Sequence, residues 1–264
     1  VDHQPEWARQ GCSMMGPPTN MQDFADFLTA VATRYKGRIR AYEIWNEPNL
    51  AREWCDQKPS PQQYAQMLKT AYAAIKKADP DAMVISAGMS PTGTNDNTAM
   101  PDDMFYDELY KVMGGKSDGY FDVLGVHAAG FRAAPEVSPE EAAADKAKYG
   151  GERFFTFRRV EDIRKIMEKY GDAAKQMAVL EFGWTSDEIH PDYKWHAVTE
   201  QQKADYLVRA YQYAKKNWPY MGLMSLIYIA DPDWKPENEQ YWWAITNPDG
   251  SKRPAFDALK AMPK

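Results

Sequence analysis

The sequence predicts an α/β fold in which short buried strands alternate with amphipathic helices. Five nearly continuous apolar runs lie between segments that have helical spacing and clear start signals. Runs without polar alternation are typical of strands buried on both faces, as in a parallel sheet covered by helices. The order of elements therefore predicts βα units with right-handed crossovers, either in a (β/α) barrel or in an open doubly wound sheet.

The predicted helices are marked by residues that cap helix ends. Thr19-Asn20 precedes apolar residues at helical spacing, and Gly37 is expected to stop that helix. Ser60-Pro61-Gln62-Gln63 combines an N-cap serine, a proline in the first helical position and a glutamine three residues after the cap. This second helix should end before Pro80. Further helices are predicted at about 102–113, 158–170, 200–217 and 254–262, with a short one opened by Ser138 inside the 128–151 loop.

The apolar runs are the predicted strands. They are Ala41–Trp45, Met83–Ala87, Phe121–Val126, Met177–Leu180 and Leu223–Ile229. No phosphate-binding glycine loop follows any of them, which argues against nucleotide binding. Because no linker separates these elements, residues 1–264 are predicted to form one domain.

Composition limits the partners that the chain can have. The formal net charge is -6 with no basic stripe, so neither nucleic acid nor an anionic membrane surface is an expected partner. No apolar run approaches the roughly 20 residues of a membrane helix, and the start has no signal-peptide pattern. We therefore expect a soluble protein, with its localisation left open.

Two cysteines, Cys12 and Cys55, lie in loop-like segments. A disulfide between them would stabilise the fold by roughly 4 kcal/mol in the chain-entropy model and would favour an extracellular setting. Two free thiols fit the sequence equally well.

Two acidic residues stand at the ends of predicted strands. Glu47 follows the first run and Glu181 follows the fourth, and each has a tryptophan nearby in sequence. One such glutamate alone is more often a helix cap or an ion-pair partner, since an unpaired buried carboxylate is costly. Two in equivalent positions favour an active site, because barrel enzymes build theirs at the carboxyl ends of the strands. Retaining glycoside cleavage needs two carboxyl groups about 5–5.5 Å apart, one as acid and one as nucleophile.

These residues resemble a known group of enzymes. Trp45-Asn46-Glu47-Pro48 is similar to the fourth-strand acid/base motif of the clan A glycoside hydrolases, and Leu180-Glu181-Phe182-Gly183 to their seventh-strand nucleophile motif. Gly125-Val126-His127 and Trp234 resemble features of the branch that contains β-xylosidases and α-L-iduronidases, family 39. The resemblance implies a TIM-type (β/α) barrel, incomplete here with about five parallel strands.

The same resemblance implies roles for individual residues. Glu47 would be the acid/base and Glu181 the nucleophile, Asn46 would bind the 2-hydroxyl of the sugar, and Trp234 would lie under the sugar. Trp54 and Trp184 are further candidates for sugar platforms, with core packing as the alternative for every tryptophan. His127 is a candidate substrate-binding residue, although a lone histidine on a strand end is commonly a core residue.

No metal and no cofactor are expected. His3, His190 and His196 have no metal-ligand spacing with one another or with cysteine. The serines lack the strand-turn-helix context of a nucleophile elbow. The expected partner is a carbohydrate substrate.

The sequence also departs from the family pattern. Aligned by its motifs, the chain starts after the third barrel strand, so open sheet edges predict either a homo-oligomer or a complementary N-terminal barrel fragment. The tyrosine that the family carries near the position of Ala129 is absent, as is the arginine of the second strand. Phe131, Arg132 or a partner residue are candidate substitutes. A non-catalytic carbohydrate-binding relic is therefore the alternative to an enzyme.

Overall fold

The computed structural model of the protein describes residues 1–9, 11–12 and 15–263. In these residues the strands are Ala41–Ile44 (β1), Met83–Ser86 (β2), Leu124–His127 (β3), Met177–Phe182 (β4) and Met221–Leu226 (β5). The helices are Met21–Arg34 (α1), Pro61–Ala78 (α2), Asp102–Val112 (α3), Pro139–Ala144 (α4), Lys146–Tyr149 (α5), Arg159–Lys169 (α6), Pro191–Lys194 (α7), Glu200–Asn217 (α8), Glu239–Trp243 (α9) and Pro254–Ala261 (α10). Each predicted strand and helix is present, with ends shifted by a few residues.

The capping residues act as the sequence indicates. Asn20 and Ser60 accept hydrogen bonds from the second and third amides of α1 and α2. Thr199 and Gln202 form a reciprocal capping box at the start of α8. These caps satisfy amides that have no partner inside the helix, which is why the helix starts could be located from sequence.

The strands form two sheets. β1 pairs with β2 in parallel, with Ala41 opposite Met83, and the other sheet has the order β3-β4-β5. The Leu124 amide donates to the Gln176 carbonyl, and the Ala128 amide donates to the Glu181 carbonyl. Because both sequences run in the same direction along this pairing, β3 and β4 are also parallel. These described strands do not close an eight-stranded ring. The predicted incomplete (β/α) barrel is therefore confirmed.

Contacts divide the chain into two compact units, and the first consists of Val1–Val126 with Ile163–Ala178. In this unit α1 and α2 pack together, burying residues such as Leu28 and Leu68. The Tyr64 hydroxyl donates to the Ile44 carbonyl at 2.8 Å and accepts from the Ala87 amide at 2.6 Å. One α2 side chain thereby ties the ends of β1 and β2 together.

Cys12 and Cys55 form a disulfide within the first unit, with their Cα atoms 5.3 Å apart. The alternative of two free thiols is thereby excluded. The bond closes a separation of 43 residues and holds the loop that follows β1 to the N-terminal segment.

The second unit consists of His127–Asp162 with Val179–Lys264. Its core contains large aromatic side chains around Phe157, which contacts Phe182, Trp184 and Trp218. Helix α10 packs against α8 in the same unit. Among the described residues no helix is both long and apolar enough to cross a membrane.

Candidate active site

Glu47 lies in a tight turn after β1. Trp45 and Glu47 have φ angles of 71° and 41°, in the left-handed region that side chains other than glycine seldom adopt. The Glu47 amide donates to the Gly88 carbonyl at 3.2 Å, and its carbonyl accepts from Leu50 at 2.9 Å. Such a conformation costs about 1–3 kcal/mol and persists only where surrounding bonds fix it, which is common at functional sites.

The Glu47 carboxylate has a cationic partner that the sequence analysis missed. Its Oε2 lies 3.0 Å from Nη2 of Arg52, and the Arg52 Nε lies 3.3 Å from Oε1 of Glu53. The Glu47 side chain is 12% exposed and that of Arg52 is 70% exposed. Burial, followed by the charge of Glu47, raises the pKa of Glu53. A short 3₁₀ turn, Ala51–Glu53, brings Arg52 back toward Glu47. A basic residue shortly after the motif is the only sequence signal for this pairing.

Asn49 fixes the loop that carries Glu47. Its side chain is fully buried, accepts from the Ser90 amide, and donates to the Ser90 and Met100 carbonyls, each at 2.9 Å. Asn49 therefore ties the loop after β1 to the loop after β2. Asn46 is partly buried between Trp45 and Glu47, and its role toward a sugar stays a prediction.

Trp54 does not form a sugar platform in this structure. It is 1% exposed, its Nε1 donates to Gln63 at 2.8 Å, and its ring contacts Trp45 and Tyr64 edge-on. A ring enclosed by protein has no face for a ligand. The prediction for Trp54 is corrected to core packing, which was its stated alternative.

Glu181 belongs to β4 in the second unit. Its backbone carbonyl accepts from the Ala128 amide at 2.9 Å, while its side chain stays 34% exposed. The Nδ1 atom of buried His127 lies 3.8 Å from Oε2 of Glu181. This distance is too long for a direct hydrogen bond, but it makes the imidazole an electrostatic neighbour of the carboxylate. The role of His127 toward a substrate stays a prediction.

Trp184 is also a core residue. It is 0% exposed, and its Nε1 donates to the Ala133 carbonyl at 2.8 Å. A Cβ on Gly130 would lie 2.0 Å from the Trp184 ring, so the backbone passes directly against it. The prediction of a sugar platform at Trp184 is therefore corrected as well.

Trp234 remains accessible on the loop that follows β5. Its ring is partly buried and meets Tyr228 at 5.3 Å, edge to face. A sugar contact there stays a prediction. Of the candidate substitutes for the missing tyrosine, Phe131 packs on other aromatic rings and the Arg132 guanidinium lies over the ring of Trp195.

The two glutamates have different surroundings. Glu47 is paired with a guanidinium, whereas Glu181 has an imidazole as its neighbour. Distinct environments are the usual means by which two carboxyl groups acquire separate acid and base roles.

One known protein family matches part of the chain. Residues 2–112, which include Glu47 but not Glu181, match the model of the family described as Cellulase (glycosyl hydrolase family 5). A search of curated proteins found no match.

Several solved structures share the fold. A family 39 glycoside hydrolase from the gut symbiont Bacteroides cellulosilyticus WH2 has a TM-score of 0.64 and 19% identity, covering 98% of this chain and 49% of that chain. A glucosidase from Croceicoccus marinus has a TM-score of 0.66 and 13% identity, and the match covers 93% of this chain and 46% of that chain. Native xylanase 10B from Thermotoga maritima has a TM-score of 0.53 and 13% identity, and the match covers 92% of this chain and 65% of that chain.

The chain therefore has the (β/α)-barrel fold of glycoside hydrolases, and the resemblance drawn from its motifs is confirmed at that level. It spans about half the length of the first two of these structures.

Proposed function

We propose that the protein is a retaining glycoside hydrolase that cleaves a β-glycosidic bond by double displacement. The observation that carries this proposal is the position of Glu47 and Glu181, each at the carboxyl end of a strand in a fold shared with glycoside hydrolases. The motifs around both residues are similar to those of the clan A glycoside hydrolases, and this similarity supports the same proposal.

The proposed reaction has two steps. Glu47 first protonates the glycosidic oxygen while the Glu181 carboxylate attacks the anomeric carbon, which releases the leaving alcohol and forms a glycosyl ester. Glu47, now ionised, then takes a proton from water as that water attacks the same carbon and frees Glu181. This mechanism requires the two carboxyl groups to lie about 5–5.5 Å apart.

Residues next to each carboxylate would take part in these steps. Arg52 would stabilise the negative charge that Glu47 acquires when it gives up its proton. His127 would act on the Glu181 carboxylate electrostatically and contact the sugar. Asn46 and Trp234 would bind the same sugar, through its 2-hydroxyl and one face of its ring.

A panel of p-nitrophenyl glycosides tests this proposal: β-glucoside, β-galactoside, β-xyloside and α-arabinoside. We expect turnover of at least one, with Glu181→Gln lowering kcat at least roughly thousandfold because the nucleophile is lost. The product anomer, followed by proton NMR, should keep the configuration of the substrate. Full activity of Glu181→Gln would contradict the assignment.

A non-catalytic carbohydrate-binding protein is the second candidate, favoured by one observation. The position near Glu181 where the family carries a tyrosine is occupied by Ala129, which supplies no hydroxyl. In that case sugars would raise the melting temperature of the wild type, and none of the aryl glycosides would be turned over.

A further inference from the structure

Four partly buried aromatic residues cluster on the loops that follow β3 and β4 in the second unit. We call Phe131, Phe154, Phe155 and Trp195 the aromatic patch. The Phe131 ring lies 4.6 Å from that of Phe155 and 6.0 Å from that of Trp195. Phe155 contacts Phe154 at 4.6 Å and Trp195 at 4.8 Å. All four residues retain some exposure to solvent, unlike the enclosed tryptophans Trp54 and Trp184.

The backbone holds this patch beside the strand that carries Glu181. The amides of Ala128 and Gly130 donate to the carbonyls of Glu181 and Gly183, both at 2.9 Å. This ladder extends the pairing of β3 and β4 beyond the end of β3, and Phe131 is the next residue. Because Gly130 has no room for a Cβ, the start of the patch has a fixed place along β4.

Two features of the patch are unusual for an ordinary hydrophobic cluster. Phe131 has a φ of 52°, in the left-handed region that a bulky side chain rarely adopts. The neighbouring Arg132 places its guanidinium 5.5 Å from the centroid of Trp195. Within the described part of the chain, Arg132 has no carboxylate within ion-pair distance, so its N–H groups are not committed to a salt bridge.

We propose that the aromatic patch and Arg132 bind a sugar ring of the substrate, next to the sugar that Glu181 attacks. Aromatic rings offer apolar surface to the C–H face of a sugar, and a guanidinium offers several donors to its hydroxyl groups. The inference rests on the proposed function, because it places the substrate chain beside Glu181. Its substrate class is an oligosaccharide, rather than a single sugar on a small aglycone.

Binding can be measured without turnover in the Glu181→Gln protein. The probes are β-1,4-linked tetrasaccharides of glucose, xylose and galactose, titrated by isothermal calorimetry. We expect at least one to bind, and Trp195→Ala, Phe131→Leu or Arg132→Gln added to Glu181→Gln to weaken that binding at least tenfold. Phe256→Leu, at a partly buried ring on α10, is the matched control and should leave affinity within twofold. Thermal melting checks that each variant is folded.

A second readout uses the otherwise wild-type protein. The three patch variants should lower kcat/KM for the bound tetrasaccharide at least tenfold more than for an aryl monosaccharide. Affinity within twofold of Glu181→Gln in all folded patch variants would overturn the inference, as would failure of all three tetrasaccharides to bind. If no aryl glycoside is hydrolysed, the proposed function fails, whereas the calorimetric comparison still decides whether the patch binds sugar.

Discussion

The Arg52 guanidinium lies 3.0 Å from the Glu47 carboxylate and 3.3 Å from that of Glu53. A positive charge at this distance favours the ionised form of a carboxyl group. A general acid must instead carry a proton when the substrate binds. If Glu47 is the acid/base, Arg52 therefore influences the pH range in which the protein is active.

Replacing Arg52 tests this relationship. Arg52→Gln should move the alkaline limb of the kcat/KM profile to higher pH, because the ionised form of Glu47 loses its cation. Arg52→Lys keeps a positive charge and should leave the limb near its wild-type position. An unchanged limb in Arg52→Gln would show that the pairing does not control the proton of Glu47.

Removing the acid itself should give a signature in the leaving group. Glu47→Ala should slow aryl glycosides with poor leaving groups roughly a hundredfold or more, yet slow activated ones far less, since only the former need protonation. The measurement is kcat/KM across a series of substituted phenyl glycosides. Glu53→Gln, which changes the neighbouring buried acid, is the matched control and should not steepen the dependence. Equal losses on all substrates would contradict the role of Glu47.

Folding stability should depend on His196 in acid. Its ring is buried among Phe131, Trp195 and Trp243, and burial, followed by the charge of Arg132, lowers the pKa of His196 to about 4. Because the unfolded histidine binds its proton near pH 6.5, the free energy of unfolding should fall as the pH is lowered from about 6.5 to about 4. The contribution lost over this range is of order 3 kcal/mol.

Urea denaturation at pH 7.5 and 4.5 measures this effect. His196→Phe should lose less stability between the two pH values than the wild type does. His3→Gln changes an exposed histidine, and this variant should lose as much stability between the two pH values as the wild type does. The same loss in all three proteins would show that His196 does not titrate in this way.

The disulfide should contribute measurably to stability. Removing it with Cys12→Ser and Cys55→Ser should lower the free energy of unfolding by about 4 kcal/mol, because the unfolded chain regains the freedom of a 43-residue loop. Urea denaturation should give the wild type a lower free energy of unfolding with a reductant than without it. The double variant should give the same free energy of unfolding under both conditions. Identical denaturation curves for the wild type with and without a reductant would contradict the bond.

We propose that the protein works in an oxidising compartment, where such bonds persist.

Strand β5 lies at the edge of its sheet and is partly exposed. Leu223 in β5 is 49% exposed, whereas all four residues of β3 are buried, and a groove of about 460 Å³ borders β5 and α8. Open strand edges pair readily with another chain, and we propose a second copy as the partner. Light scattering should show a mass above the monomer that rises with concentration and falls in Leu223→Lys. Met104→Lys, at a residue that is 41% exposed on α3, is the control, and a monomer at all concentrations would contradict the proposal.

Local signals explain what the sequence predicted well. The starts of α1, α2 and α8 depend on caps within four residues, so they can be located without tertiary information. The start of β3 was placed too early because Phe121 is buried against Tyr110 without belonging to the strand. Apolarity indicated its burial, but it did not indicate its backbone pairing.

The environment of the candidate site depends on contacts that are distant in sequence. Trp184 is enclosed with help from Ala133, 51 residues away, so its loop-like sequence context wrongly indicated an exposed ring. Arg52 reaches Glu47 through turn geometry that no motif encodes. The glutamates themselves were found because their strand-end positions and flanking residues are local features.

Labelling of the nucleophile tests the central claim most directly. A 2-deoxy-2-fluoro-β-glycoside of the sugar that is hydrolysed, carrying a dinitrophenyl leaving group, should trap the glycosyl ester. The fluorine slows both steps because both transition states carry positive charge, while the good leaving group keeps formation of the ester faster than its breakdown. Mass spectrometry of the digested protein should find one added sugar on the peptide that contains Glu181, and none in Glu181→Gln. A label on another residue, or turnover of the parent glycoside without any label, would contradict the assignment of Glu181.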